Sequence, residues 1–305
     1  MNYYKTISMK SYKLIQVSLF TAIVFCLGIS ACQKMDRPEL KEIIKDPEPP
    51  PYNPLKSLWS FEDNVTDEGE NKLTSVPVDV TYVEGVKGKA LKIEPEGYLL
   101  MKAEGDTVIY PNEFVGLPKD TLANLGSFTI SFWMKATGPF TDGAQGLFAI
   151  SNKTQFWGNL EIFLENYNNA SDQTEAFIKI HMFNAGAANG TGEEWNEIKV
   201  SNVFNKWTHI GLTYDAANSQ LSLYVDGQPT TINNKVLGGG SYGKIKYNDF
   251  NGMVLGNFAF QTTPSLTNHG PEDWARSFNG ALDQFRIYNK PLSGTEINQL
   301  FTSKE

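Results

Sequence analysis

The chain has 305 residues, 41% of them hydrophobic, enough for a sizeable core, so global disorder is excluded. Its formal net charge is −8; residues 1–31 hold Lys5, Lys10 and Lys13 and no acid, so the remainder carries −11. A surplus of that sign argues against nucleic acid or an anionic membrane surface as partner.

Residues 1–31 read as a secretory leader: a basic start, then an apolar run from Leu14 to Gly28 broken by Gln16, Ser18 and Thr21. The run is short and interrupted for a membrane span. It ends in Ile29-Ser-Ala-Cys32, which resembles the bacterial lipobox, and the resemblance implies that Cys32 is diacylated and becomes the first residue after cleavage. Cys26 would leave with the leader, so the mature domain has neither disulfide nor free thiol and depends on its core. Gln33, rather than Asp, follows the lipidated position, which leans towards the outer membrane and a lipid-anchored place at the cell surface. Residues 32–54 are charged and rich in proline, as in Asp46-Pro-Glu-Pro-Pro-Pro-Tyr-Asn-Pro54, and read as a semi-rigid stalk.

Strand patterns fill the chain beyond the stalk. Trp59 and Phe61 share a face before an Asp/Asn/Gly turn. Val76, Val78, Val80 and Tyr82 alternate with polar residues, and Pro77 confines that strand to a start or a sheet edge. Gly85-Val-Lys-Gly-Lys-Ala-Leu91 reads as a hairpin. Ser127–Lys135 alternates Phe128, Ile130 and Phe132 against Trp133, and further strands fall at 146–150, 159–164 and 176–183. Trp207–Gly227 carries the clearest pattern: Ile210, Leu212 and Tyr214, a polar break at Ala216–Ser219, then Leu221, Leu223 and Val225 before an Asp226-Gly227 turn, which together predict a meander. After a glycine-rich loop at 238–243, a short strand at 252–256 and a long polar loop from Gln261 to Ser277, Phe278–Tyr288 reads as a closing strand. Ser293-x-x-Glu296 is a capping box, with Leu292 able to pack on Ile297, so a short helix ends the chain.

Four of these motifs in this order resemble the LamG-like, concanavalin A-like jelly-roll family: the Trp59 strand and turn, the Gly-x-x-Gly-x-Ala-Leu hairpin, Trp207–Gly227, and Gly280-Ala-Leu-Asp-Gln-Phe-Arg-Ile-Tyr288. The resemblance covers 55–305 and implies one all-β domain, a jelly-roll sandwich of two antiparallel sheets with a short C-terminal helix. Many short strands with turn signals favour a sandwich independently.

Several apparent catalytic motifs fail on context. Gly239-Gly-Ser-Tyr-Gly243 and Gly238-x-Gly240-x-x-Gly243 lack the helix that a nucleophile elbow or a dinucleotide fingerprint requires, so no organic cofactor is implied. His181, His209 and His269 show no zinc-ligand spacing. Glu161-Ile-Phe-Leu-Glu165 has Phe163 where jelly-roll glucanases carry a central Asp, and reads as a strand with two solvated carboxylates. The tryptophans divide into Trp59, Trp133 and Trp207, inside strand motifs and expected in the core, and Trp157, Trp195 and Trp274, beside loops and acids, where an indole can stack on a sugar. If Phe285 and Ile287 face inward, alternation places Asp283 inward too. It would then either accept backbone amides or, as the family resemblance implies, hold a structural Ca²⁺ with Glu62 and Asp63.

The expected function is therefore non-catalytic glycan binding at the cell surface, with a protein-binding adhesion module as the alternative. A glycoside hydrolase or lyase is disfavoured by the missing carboxylate set.

Overall fold

The computed structural model describes residues 52–102, 125–139, 143–166, 174–188, 192–250 and 252–305, so the expected leader, Cys32 and the stalk up to residue 51 lie outside the described residues. The chain divides into two units, Met1–Tyr52 and Asn53–Glu305, and the second carries every strand and helix named here.

The strands are β1 (Leu55–Trp59), β2 (Thr74–Glu84), β3 (Lys89–Lys102), β4 (Phe128–Ala136), β5 (Ala144–Ile150), β6 (Leu160–Asn166), β7 (Glu175–Phe183), β8 (Glu193–Ser201), β9 (Thr208–Asp215), β10 (Gln220–Val225), β11 (Gln228–Pro229), β12 (Lys235–Val236), β13 (Met253–Leu255), β14 (Ala275–Ser277) and β15 (Gly280–Tyr288), followed by helix α1 (Gly294–Ser303). Hydrogen bonding runs unbroken along β11-β10-β9-β4-β15-β3-β13-β5-β6-β7-β8, with β1 on β15, β2 on β3, β12 on β10 and β14 on β5. The sandwich is thus one sheet folded over itself. Phe285 of β15 and Phe148 of β5 lie 4.9 Å apart across the core, although β3 and β13 separate their strands along the path. The β14–β5 pair is parallel; every other strand pair is antiparallel.

The period-two pattern explains the layers. Phe128, Ile130, Phe132, Ile210, Leu212, Tyr214, Leu221 and Leu223 all enter the one large core. β2 pairs with β3 alone among the described residues, so Pro77 sits on an edge strand, where a missing amide proton costs nothing. Asp226 and Gly227 both adopt left-handed φ, 49° and 73°, and close the expected hairpin turn. Trp207 departs from expectation: β9 starts one residue later, and the indole is half-buried rather than in the core.

Alternation also fails at Asp283. Register slips by one residue between Asp283 and Arg286, where Gln284 takes φ 50°, forming a β-bulge. Leu282 and Phe285 therefore both face the core, and Asp283 is turned to the opposite side with its partner Trp133. It is buried there, but not inward as the alternation predicts.

That opposite side is covered by α1. Its capping box is complete: Ser293 accepts from the Glu296 amide, and the Glu296 carboxylate accepts from the Ser293 amide at 2.8 Å. Leu292 and Ile297 pack together as the predicted staple. Ile297 lies on Gly211, where a Cβ would come within 2.9 Å of its Cγ2, so only glycine lets the helix this close. Phe301 stacks on Trp133 at 5.5 Å, and Trp133 meets His209 edge-on at 5.2 Å. Burial, reinforced by Arg286, pushes His209 down to about 4, and its Nε2 lies 2.9 Å from Ser131 Oγ. Because the folded pKa is depressed, the contribution of His209 to stability is full above its ordinary 6.5 and is lost as pH falls through about 4. Phe301→Ala should uncover this imidazole. We expect a loss of about 1–3 kcal/mol in urea unfolding and a rise of the His209 pKa by NMR titration; an unchanged pKa would show that α1 does not seal the face.

Candidate functional site

Three neighbouring strands build the site. On β6, Leu160, Ile162 and Leu164 enter the core, leaving Glu161, Phe163 and Glu165 on the other face. Ile178, Ile180 and Met182 of β7 and Ile198 and Val200 of β8 do the same, leaving Lys179, His181, Trp195 and Glu197 outside. The register pairs Glu161 with His181 and His181 with Trp195, so these three form a row across the sheet.

Two loops fold over that row. Residues 151–159 bring Phe156 and Trp157; residues 256–274 bring Phe258, Phe260, His269 and Trp274. The three tryptophans singled out from sequence come together: Trp157 lies 4.8 Å from Trp195 and 5.6 Å from Trp274 by ring centroids. Trp157 is half-buried and stacks on Phe163 at 5.8 Å with ring planes 10° apart. Trp195 and Trp274 are 42% and 37% exposed, an unusual state for side chains of this size. The result is a row of indoles, seated on strands and open at both ends.

Amide side chains hold the loops. Buried Asn159 donates to Ser151 O at 2.7 Å and Asn248 O at 3.0 Å, while Asn152 Oδ1 accepts from the Thr154 amide at 2.9 Å. Gln261 donates to Glu272 O and Ala275 O at 2.8 and 2.6 Å and accepts from the Glu272 amide at 3.1 Å. Asn268 donates to Thr154 O at 2.8 Å and joins the two loops. Such saturated networks order loop backbone that would otherwise need water.

The polar groups at the row are few. Glu193 Oε1 accepts from Trp195 Nε1 at 3.3 Å and lies 3.3 Å from His181 Nε2. Burial pushes His181 down to about 4 against the pull of Glu193, so the imidazole is neutral at physiological pH. Glu272 lies 3.4 Å from His269 Nδ1. The reading of Glu161 and Glu165 as two solvated carboxylates is corrected. Glu161 is fully buried beneath the 256–274 loop, with Oε1 3.5 Å from the Ala259 amide and no partner on Oε2, and burial raises its pKa well above the carboxylate range. Glu165 is partly exposed and ion-paired to Lys179. One carboxyl sealed from solvent and one spent on a lysine do not make the flanking acid and nucleophile that glycoside hydrolysis uses. Sequence reasoning weighed His181 only as a zinc ligand and missed the phenylalanine floor, since strand register brings His181 to the row and loop placement brings Phe156, Phe258 and Phe260 there.

The residues assigned to a Ca²⁺ lie elsewhere, at the β2–β3 turn and the bulge of β15. Asp283 Oδ2 accepts from the Val86 and Lys87 amides at 2.8 and 3.2 Å, and Oδ1 from the Gln284 amide at 2.7 Å. Glu62 Oε2 accepts from the Lys89 amide at 3.1 Å, and Asp63 is exposed on a left-handed turn. Backbone amides of Val86, Lys87 and Gln284 thus satisfy both oxygens of Asp283, and the Lys89 amide one oxygen of Glu62. Among the described residues no group of three or more His, Cys, Asp or Glu is placed to hold a metal. Asp67, unremarked in the sequence, plays a matching role by accepting from the Leu58, Gly69 and Leu73 amides, each at 2.9 Å.

Glu161 has a pH consequence. Its folded pKa is raised, so its contribution to stability is full below its ordinary 4.5 and is lost as pH rises through the elevated value. Glu161→Gln, neutral and of the same shape, should leave Tm unchanged at pH 4 and raise it at pH 8; an equal Tm at pH 8 would show that ionising this carboxyl carries no cost.

No curated protein matches the sequence. Solved structures with the same fold include the binding domain of Paraclostridial Mosquitocidal Protein 1, at 19% identity and a TM-score of 0.52 over 82% of this chain and 52% of that one. The botulinum neurotoxin serotype D ligand binding domain in complex with N-acetylneuraminic acid matches at 12% identity and TM-score 0.52, over 82% and 50%. The botulinum neurotoxin DC binding domain in complex with rat synaptotagmin II matches at 15% and 0.52, over 82% and 51%. This chain spans about half the length of each, and at such identities the likeness shows the fold alone. The sequence itself matches the family model of the concanavalin A-like lectin/glucanases superfamily over residues 112–298, more than half of the chain. With the jelly-roll sandwich, the closing strand β15 and the C-terminal helix in place, the protein belongs to the concanavalin A-like lectin/glucanase superfamily, in its laminin G-like branch.

Proposed function

We propose that the protein is a non-catalytic saccharide-binding module, held at the outer membrane surface by a lipid on Cys32. One observation carries the binding half: Trp157, Trp195 and Trp274, from three separate segments, meet in one row with two indoles exposed. The apolar face of a pyranose stacks on such a surface, while Glu193 and Glu272 accept hydrogen bonds from its hydroxyls. A protein partner is the second reading, because exposed tryptophans also anchor protein interfaces. Of the botulinum binding domains that share this fold over about half their length, one is in complex with N-acetylneuraminic acid and another with rat synaptotagmin II.

Affinity electrophoresis against a panel of polysaccharides tests the lead reading. Trp195→Ala and Trp274→Ala should each cost about 1–2 kcal/mol of binding, roughly five- to thirty-fold in Kd, with little change in Tm because both indoles are partly exposed. No retardation by any polysaccharide would reject it. The anchor is supported by Ile29-Ser-Ala-Cys32 after an apolar leader. Metabolic labelling with an alkynyl fatty acid should mark the protein and fail on Cys32→Ser, which should also leave the membrane fraction; a labelled Cys32→Ser variant would place the lipid elsewhere.

A further inference from the structure

Carboxylates outnumber cations around the tryptophan row. Glu193 touches Trp195, and Glu272 and Asp273 directly precede Trp274. The adjoining row of the sheet carries Phe163, Lys179 and Glu197; Lys179 is paired to Glu165 of the row beyond and lies 3.6 Å from Glu197. Arg276, the nearest guanidinium in sequence to Trp274, donates from Nη1 to Asp273 O at 2.5 Å and Ala275 O at 2.9 Å, so it braces its own segment. His181 is kept neutral by its burial, and His269 faces Glu272 at 3.4 Å.

The other side of the same 271–279 segment repeats this balance. It walls a cleft of about 860 Å³ in which Asp79, Glu94 and Glu96 join Glu272 and Asp273, against Lys92 and Arg276. Lys92 is already paired with Glu94 at 2.6 Å. The cleft next to Trp274 therefore presents surplus negative charge as well. A sugar carboxylate or sulfate is held by a guanidinium fork or a lysine, and Arg276 and Lys179 are engaged by main-chain carbonyls and by two carboxylates respectively.

We infer that the tryptophan row takes uncharged polysaccharide, chains of neutral sugars without carboxylate or sulfate, and excludes acidic glycans by charge. The inference rests on the proposed saccharide binding and adds the ligand class. N-acetylneuraminic acid, the sugar in one structure of the same fold, carries a carboxylate and falls on the excluded side. Stacking has no charge requirement, so neutral chains gain the full indole contact, whereas an anion meets a field that weakens as salt shortens the Debye length from about 30 Å at 0.01 M to about 8 Å at 0.15 M.

The test uses the full chain and polymers matched in backbone: hydroxyethyl cellulose against carboxymethyl cellulose, and galactan against polygalacturonate, with polysialic acid added. At 10 mM salt the neutral member of each pair should bind at least tenfold tighter. Raising salt to 150 mM should narrow that gap while leaving neutral binding within twofold. Asp273→Lys combined with Glu197→Lys should raise affinity for the acidic polymers several-fold and leave neutral binding unchanged. Equal or tighter binding of the acidic polymers by the unmodified protein would overturn the charge inference and leave the saccharide reading standing. A gap that ignores both salt and the double substitution would also overturn it. Binding of no polymer at all would remove both. The salt series needs no variant, so it decides even if the double substitution fails to fold.

Discussion

The two layers of the sandwich meet at the ring of Phe285, and its position depends on a single extra residue in β15. The ring lies 5.8 Å from Trp59, 5.7 Å from Phe132 and 4.9 Å from Phe148, so β1, β4 and β5 all converge on it. In an unbroken strand Leu282 and Phe285 would point to opposite faces. The bulge at Gln284 brings both inward, and the same local twist delivers the Asp283 carboxylate to the amides of Val86 and Lys87. One irregularity thus seats the central aromatic of the core and ties β15 to the β2–β3 turn. Phe285 alone buries enough apolar surface to be worth on the order of 2–3 kcal/mol, and the carboxylate has its own partners in the amides.

The tryptophan row inherits this rigidity unevenly. Trp195 stands on β8 and is positioned by strand register, while Trp157 and Trp274 stand on loops. What makes the loops equivalent to strands is the set of side-chain amides at buried Asn152 and Asn159 and half-buried Gln261, which meet backbone groups that a sheet would otherwise have paired. Beneath them lies Glu161, whose burial raises its pKa and favours the protonated form. Protonated, it tolerates the aromatic floor of Phe163 and Phe258; ionised, it would be an uncompensated charge at the base of the site. A binding surface on such supports holds its geometry before any ligand arrives.

Local chemistry made most of the fold legible. The meander around Trp207–Gly227 needs only alternation and an Asp-Gly turn, and the final helix needs only Ser293, Glu296 and Leu292; each signal lies within a few residues of the structure it produces. Trp157, Trp195 and Trp274 stood out as a set, because indoles beside acids in loops are chemically conspicuous. Their convergence was not, since it depends on β6–β7–β8 register and on a loop a hundred residues further along the chain. Asp283 was misplaced because a bulge at Asp-Gln carries no glycine to announce it. Glu161 was misread because spacing tells which face a side chain takes, not what covers that face. The cover, from Phe258 to Phe260, sits just before a segment that reads as polar loop.

Cover is also what separates the reactive-looking face from the one proposed to bind. The outward side of β4, β9 and β15 holds Ser131 hydrogen-bonded to His209, with Arg286 nearby, residue types that elsewhere make a nucleophile and its base. Here Phe301 and Ile297 seal them, His209 is fully buried, and the constellation serves packing. The outward side of β6, β7 and β8 holds less suggestive chemistry, a neutral histidine and a buried acid, but its cover stops short and leaves Trp195 and Trp274 at the rim. Both faces come from the same alternation in the same folded sheet. They differ in how far an appended segment extends across them, a helix that closes completely or a loop that closes halfway. In this protein the place where function can act is set less by which residues the strands turn outward than by where the covering segment ends.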